Sequence, residues 1–273
     1  MRIGVVAPST RIEPETAARV KALADALYPG RVDLIIHPQC FMSWRHFAGE
    51  DAARAAAFVE LANDPGIDAV WFARGGYGAG RVAAKILGAL NEAARAKTYL
   101  GYSDAGFLLA GLYKAGIGRV AHGPLLNDLL RQGGDAAVTR ALAFLVEDDA
   151  NAFEPNVGES PAAAFNLTVF SHLLGTALEP DLSGHVLMLE DVSEHMYRID
   201  RAFFHVLNTQ SVQRIAGLRL GRVSDVIENY PPFGADEEEI ARFWCERASV
   251  PYLGRADIGH DVDNKVVVFG QPR

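Results

Sequence analysis

The tetrapeptide Gly101-Tyr102-Ser103-Asp104 sets a serine hydroxyl between a strand-like run and a helix-like run. Thr98-Tyr99-Leu100 can end a buried strand, and Ala105 through Leu112 can begin a helix. A serine on such a tight turn has helix amides beside it, so a nucleophile and part of an oxyanion hole can share one backbone. The same residues also suit ordinary helix capping, because serine before an acidic residue is a common N-terminal cap. Ser103 is therefore a candidate nucleophile, with capping as the alternative.

A second glycine-rich turn, Arg74-Gly75-Gly76-Tyr77-Gly78-Ala79-Gly80, follows the short apolar run Ala69 to Ala73. It lacks the third glycine and the later acidic residue of a dinucleotide fingerprint, and it lacks the lysine and hydroxyl of a P-loop. What remains is a tight turn, or one that offers amides to an anion or oxyanion. A serine nucleophile needs a base and a group that orients the base, and neither need be close in sequence. Of the eight histidines, His260 is the best placed, in the loop Asp257-Ile258-Gly259-His260-Asp261 where glycine frees the backbone to present an imidazole. His122 follows another strand end and is a second candidate; His37, His46, His172 and His205 read as packing or exposed residues. Leu187-Met188-Leu189-Glu190-Asp191 places two carboxylates after an apolar strand, either of which could hold a histidine tautomer or simply start a turn. Asp191 stands where the inverted zinc motif would need a histidine before Glu194-His195, which argues against metal catalysis.

The elements that must position these groups alternate in the first half of the chain. Ile3–Ala7, Val32–His37, Ala69–Ala73 and the run into Gly101 read as strands. Glu13–Leu27, Glu50–Asn63, Arg81–Ala96 and the stretch after Ser103 read as helices. That pattern predicts a layered α/β domain with a largely parallel sheet, whose ligands gather at the carboxyl ends of the strands, where both glycine turns lie. After about residue 145 the chain turns polar and then resumes: a helix over Phe165–Leu174, strands at Val186–Leu189 and Val223–Ile227, helices at Arg198–Leu207 and Asp236–Arg247, and a closing strand at Lys265–Phe269. We expect an N-terminal domain over 1–148, a linker over 149–164 and a smaller α/β domain over 165–273.

The 273 residues are 49% apolar, enough for a substantial core. A net charge of -8 without a lysine/arginine block argues against nucleic acid or an anionic membrane as partner and favours a small or peptide-like substrate. The first residues enter a strand pattern directly, with no signal-peptide core, and Cys40 and Cys245 lack metal-ligand spacing. Both features lead us to expect a cytoplasmic protein with reduced thiols.

Taken together, the motifs resemble the LD-carboxypeptidases, serine peptidases that include muramoyl-tetrapeptide carboxypeptidases and microcin C immunity peptidases. The resemblance runs through Ala7-Pro8-Ser9, Arg74-Gly75-Gly76-Tyr77-Gly78, Gly101-Tyr102-Ser103-Asp104 and His122-Gly123-Pro124. It continues through Asn166-Leu167, Leu174-Gly175-Thr176, Leu189-Glu190-Asp191, Tyr197-Arg198-Ile199-Asp200-Arg201 and Gly259-His260.

The resemblance implies a flavodoxin-like N-terminal domain, a smaller C-terminal α/β domain and an active site in the cleft between them. By position it makes Ser103 the nucleophile, Glu190 the acid and His260 the base, with an oxyanion hole from the Asp104 amide and one amide of the Gly75-Gly76 turn, that of Gly76 preferred over Gly75. Arg74, Tyr77 and Asn166 are expected at the substrate, with a structural ion pair as the alternative for Arg74. It implies a homodimer that needs no metal or organic cofactor, and release of terminal D-alanine from murein tetrapeptides in peptidoglycan recycling. Hydrolysis of peptidyl or aminoacyl nucleotides, or a non-catalytic binding role on the same scaffold, are the alternatives. The sequence departs from the family where Ala162-Ala163-Ala164-Phe165 replaces a glycine pair before Asn166-Leu167, and in a short segment between Ser103 and Glu190. Phe165 is therefore expected to reshape the cleft.

Overall fold

Five short, almost wholly apolar runs form the parallel part of the first sheet in this computed structural model, which describes residues 1–155 and 159–270. They are β1 (Arg2–Val6), β2 (Asp33–Ile36), β3 (Ala69–Phe72), β4 (Thr98–Gly101) and β5 (Arg119–His122), in spatial order β2-β1-β3-β4-β5. This is the flavodoxin-like order, in which the chain reverses its direction of sheet growth between β1 and β3 and opens a crevice there. Buried parallel strands need apolar residues on both faces. Accordingly Ile3, Val5 and Trp71 pack on one side with Val20 of α1 (Pro14–Leu27), while Val6, Val70 and Phe72 pack on the other with Phe58 of α2 (Asp51–Asn63). Helices α3 (Ala79–Leu87), α4 (Gly106–Lys114) and α5 (Gly134–Glu147) complete the two outer layers.

A second, four-stranded parallel sheet has the order β6 (Ala162–Asn166), β7 (Val186–Val192), β8 (Gly217–Ser224), β9 (Tyr252–Arg255). Helices α6 (Leu167–Leu173), α7 (Met196–Asn208) and α8 (Glu237–Ala248) accompany it. The protein is thus α/β with a mostly parallel six-stranded sheet and a second parallel sheet. One apolar cluster runs through both, from Leu108 and Leu109 of α4 to Phe165, Phe170, Leu189 and Phe203.

Several elements differ from the sequence expectation. The run expected as a helix over Phe165–Leu174 is strand β6 up to Asn166 and helix only from Leu167, because short apolar runs carry no decisive period and pairing with β7 settles this one. The helix expected through Ala96 stops at Leu87, where Gly88 caps it; a separate 3-10 turn over Glu92–Ala96 follows, with Asn91 accepting from the Ala93 amide at 2.9 Å. The last strand, β10 (Val267–Val268), pairs antiparallel with β5 of the first sheet. Residues 156–158 of the expected linker lie outside the described residues; β6 occupies 162–164 of the remainder. Among the described residues no helix is long and apolar enough to cross a membrane.

Candidate active site

Ser103 sits directly beyond β4 with φ at +60°. That left-handed geometry costs a non-glycine residue about 1–2 kcal/mol, the mark of a turn held by its surroundings. Neither the short 3-10 turn Ser103–Ala105 nor α4, whose N-cap is Ala105, takes a cap hydrogen bond from the serine side chain. The capping reading is therefore set aside, and the half-buried hydroxyl faces a cleft.

The turn after β3 comes up against this serine. A Cβ on Gly75 would lie 2.8 Å from Ser103 Oγ, so only glycine lets the two turns approach so closely. Thr10, in the loop after β1, donates from Oγ1 to the Gly75 carbonyl at 2.6 Å. Because that carbonyl and the Gly76 N–H belong to one rigid peptide plane, Thr10 fixes the direction of the Gly76 amide. Among the described residues neither the Gly76 nor the Asp104 amide enters a backbone hydrogen bond. The buried Asp104 carboxylate accepts from Ser9 Oγ at 2.5 Å and from the Ala79 amide at 2.8 Å, tying the β1 loop and the start of α3 to the serine turn. Burial raises its pKa, against the pull of Ser9 and Ala79.

Strand β7 settles which carboxylate meets which partner. Neighbouring residues on a strand face opposite ways. Glu190, fully buried, accepts from His260 Nδ1 at 2.6 Å, while Asp191 turns to the other side. There it receives Asn166 Nδ2 at 2.8 Å, Thr168 Oγ1 at 2.9 Å and the Thr168 amide at 3.1 Å. Burial and the charge of Glu190 push Asp191 up to about 6. For His260, burial opposes the charged imidazolium, but the charge and hydrogen bond of Glu190 outweigh it and raise the pKa above the ordinary histidine value.

The loop bearing His260 is clamped from two sides. Arg222 on β8 binds Asp257 at 2.5 Å and also holds Asp261, and its amide donates to the Ile258 carbonyl at 2.8 Å. Asn264 Oδ1 accepts from the Gly259 amide and from His122 Nε2, each at 3.2 Å. Burial pushes His122 down to about 4, so this histidine is neutral and serves as a strut rather than a base. The Tyr102 ring lies 4.7 Å from the His260 imidazole and 5.4 Å from that of His122, and its hydroxyl donates to Asp128 Oδ1 at 3.0 Å. Tyr102 immediately precedes Ser103, so the imidazole packs on the residue next to the serine.

A cleft of about 450 Å³ gathers Gly76, Tyr77, Ser103, Asp104 and Asn166, with Asp191 and Phe107 in its wall. Asn166 lends most of its amide to structure, its Oδ1 capping α6 through the Val169 amide at 3.0 Å. Arg74 stands apart from this lining; its guanidinium donates to the Arg11 carbonyl at 3.1 Å. Phe165 does not reshape the cleft as expected: it is 1% exposed and packs in the core between Phe170 and Phe269, each ring 5.0 Å away.

The sequence profile of the LD-carboxypeptidase N-terminal domain matches residues 3–123, and that of the LD-carboxypeptidase C-terminal domain matches residues 159–272. The chain belongs to the LD-carboxypeptidase family. It is 25% identical to the murein tetrapeptide carboxypeptidase of Pseudomonas aeruginosa, across 99% of this chain and 91% of that one. The fold is shared with the muramoyltetrapeptide carboxypeptidase from Oxalobacter formigenes, with a TM-score of 0.81 at 22% identity over 98% and 93% of the two chains. It is shared also with the microcin C7 self immunity protein in complex with aspartyl sulfamoyl adenosine, with a TM-score of 0.76 at 18% identity over 99% and 96%. Within the LD-carboxypeptidase frame, sequence reasoning missed Thr10, the Asp104 side chain, Asn264 and Arg222. Ser9 was visible in the Ala7-Pro8-Ser9 motif, whereas the others act through partners far along the chain and leave no local signal.

Proposed function

We propose that the protein is a serine carboxypeptidase that hydrolyses an LD-peptide bond and releases terminal D-alanine from murein tetrapeptides in cell-wall recycling in the cytoplasm. The observation that carries this reading is the buried Glu190–His260 pair, 2.6 Å apart, packed against the residue that precedes a strained, uncapped serine. His260 Nδ1–H is committed to Glu190, which leaves Nε2 as the base. Nε2 takes the Ser103 proton as Oγ attacks the carbonyl carbon, and the amides of Asp104 and Gly76 receive the developing oxyanion. The imidazolium then gives its proton to the departing nitrogen as the C–N bond breaks and D-alanine leaves. Water attacks the acyl ester, loses its proton to His260, and the proton returns to Ser103 Oγ. Glu190 stabilises the imidazolium at both steps.

A second reading is hydrolysis of a peptidyl or aminoacyl nucleotide. It is favoured by Tyr77, a cleft residue that is 57% exposed beside Phe47 and could stack on a base. Mass spectrometry of a murein tetrapeptide and of a peptidyl-nucleotide antibiotic, each incubated with wild type and Ser103→Ala, tests both. Loss of D-alanine in wild type alone supports the first reading; turnover of neither compound overturns both.

A further inference from the structure

Beside the cleft lies a larger groove of about 560 Å³ between α6 and α7, and the two share Thr168, His172 and Glu194 in their walls. Arg198, Arg201 and His205 line it at spacings that put them on one face of α7. The two arginines belong to the motif Tyr197-Arg198-Ile199-Asp200-Arg201, which the proposed chemistry does not use. The motif divides by direction. Ile199 is buried in the core and Asp200 accepts from Trp244 Nε1 at 2.9 Å, fixing α7 to α8, while both arginines face the groove.

Charge in the groove is unbalanced. Among the described residues its one carboxylate, Glu194, is engaged by Arg198 at 3.3 Å. Arg201 has no carboxylate partner among the described residues; its guanidinium lies over the Tyr197 ring at 5.5 Å, which steadies the group and leaves its N–H fork open. His172 spends Nδ1 on the Thr168 carbonyl at 2.7 Å, so the rest of its ring is free to face a ligand. In a chain of net charge -8, an uncompensated guanidinium in the groove that adjoins the cleft is placed to meet an anion.

We infer that this groove is a subsite for an anionic group, a carboxylate or a phosphate, carried by the substrate away from the scissile bond, with Arg201 as its principal donor. A departing D-alanine is far too small to fill the groove, so the occupant belongs to the remainder of the substrate. This inference rests on the LD-carboxypeptidase reading above and supplies its selectivity.

The test uses three substrates: a murein tetrapeptide with its D-glutamyl α-carboxylate free, the same peptide with that group as carboxamide, and the amidated peptide joined to a nucleoside diphosphate. A preference in kcat/KM for the free carboxylate over the carboxamide identifies a carboxylate occupant; a preference for the diphosphate form over the amidated peptide identifies phosphate. Arg201→Gln is expected to reduce the preference about tenfold, as loss of a hydrogen bond to a charged group requires, and Arg201→Lys to restore part of it. A preference unchanged in Arg201→Gln, or absent from wild type that cleaves all three, overturns the subsite and leaves the proposed function standing. If wild type cleaves none, calorimetric titration of Ser103→Ala with the same compounds decides. Charge-dependent binding lost on adding Arg201→Gln upholds the subsite while the hydrolytic reading falls, and binding without charge dependence, or none, overturns the subsite.

Discussion

Replacing Glu190 by Gln keeps the size of the side chain and removes the charge behind His260. The Glu190 carboxylate and the His260 imidazole are 2.6 Å apart and both buried, so the imidazolium formed in each proton transfer has its counter-ion in direct contact. Two unit charges about 4 Å apart attract by about 4 kcal/mol at the effective dielectric constant suited to protein sites. At about 1.4 kcal/mol per decade this is a loss of about 10³ in kcat/KM. If the amide presents its NH₂ to Nδ1 the wrong tautomer is imposed, and the loss approaches about 10⁴. The pH profile provides a second, independent reading. In the proposed mechanism activity requires neutral His260, and Glu190 holds the pKa of that group above the ordinary histidine value, so wild-type activity should rise with pH through a midpoint above that value. Without the Glu190 charge, burial, the largest remaining influence beside the smaller opposing charges of Asp128 and Arg131, lowers the pKa, so the acid limb moves to lower pH. The assay is D-alanine release from a murein tetrapeptide between pH 5 and 9, with circular dichroism to establish that the variant is folded. Activity within about tenfold of wild type, or an acid limb at an unchanged or higher pH, would refute the reasoning.

Thr10→Val removes the hydroxyl that orients the Gly75–Gly76 peptide at 2.6 Å; kcat should fall about tenfold with little change in KM, since an oxyanion contact is made in the transition state. A rise in KM at constant kcat would assign Thr10 to substrate binding instead. Gly75→Ala puts a methyl group 2.8 Å from Ser103 Oγ, and displacement of the nucleophile by even about 1 Å should cost about a hundredfold or more in a folded protein. Retained activity would mean that Ser103 is not the nucleophile. Asp191 is pushed up to about 6 from 3.8, so the folded state binds its proton more tightly than the unfolded state does. Its contribution to stability is therefore greatest below about pH 4 and declines by about 3 kcal/mol as pH rises through 6. Denaturant titrations of Asp191→Asn and wild type across that range should diverge by this amount, and parallel curves would contradict the assignment.

Much of the site was legible in local patterns because each motif marks a local physical need. Gly75 and Gly76 stand where a backbone must approach a side chain, Ser103 where a strand gives way to a helix, and Glu190 at the end of an apolar strand. The errors fell where local pattern is silent. Ala162–Asn166 and Leu167–Leu173 form one apolar run that a helix or a strand could use, and only pairing with β7 divides it. Phe165 was expected at the cleft because Ala162–Phe165 replaces the glycine pair that the family carries before Asn166-Leu167; alternation along β6 sends the phenyl ring into the core while Asn166 reaches the cleft.

By itself the amino-acid sequence determined the buried parallel strands, the two close-approach turns at their carboxyl ends and the small set of groups able to carry acyl chemistry. Those properties follow from residue volume, polarity and backbone freedom, which act within a few positions. Only the tertiary structure decided that Glu190 rather than Asp191 meets His260, that His122 is a neutral strut, and that among the described residues Ser103 caps nothing and Arg201 lacks a carboxylate. These are contacts between residues far apart in the chain, 70 positions for Glu190 and His260. They are set by strand register and by how close packing brings the loops of one sheet against the other, which no local propensity encodes.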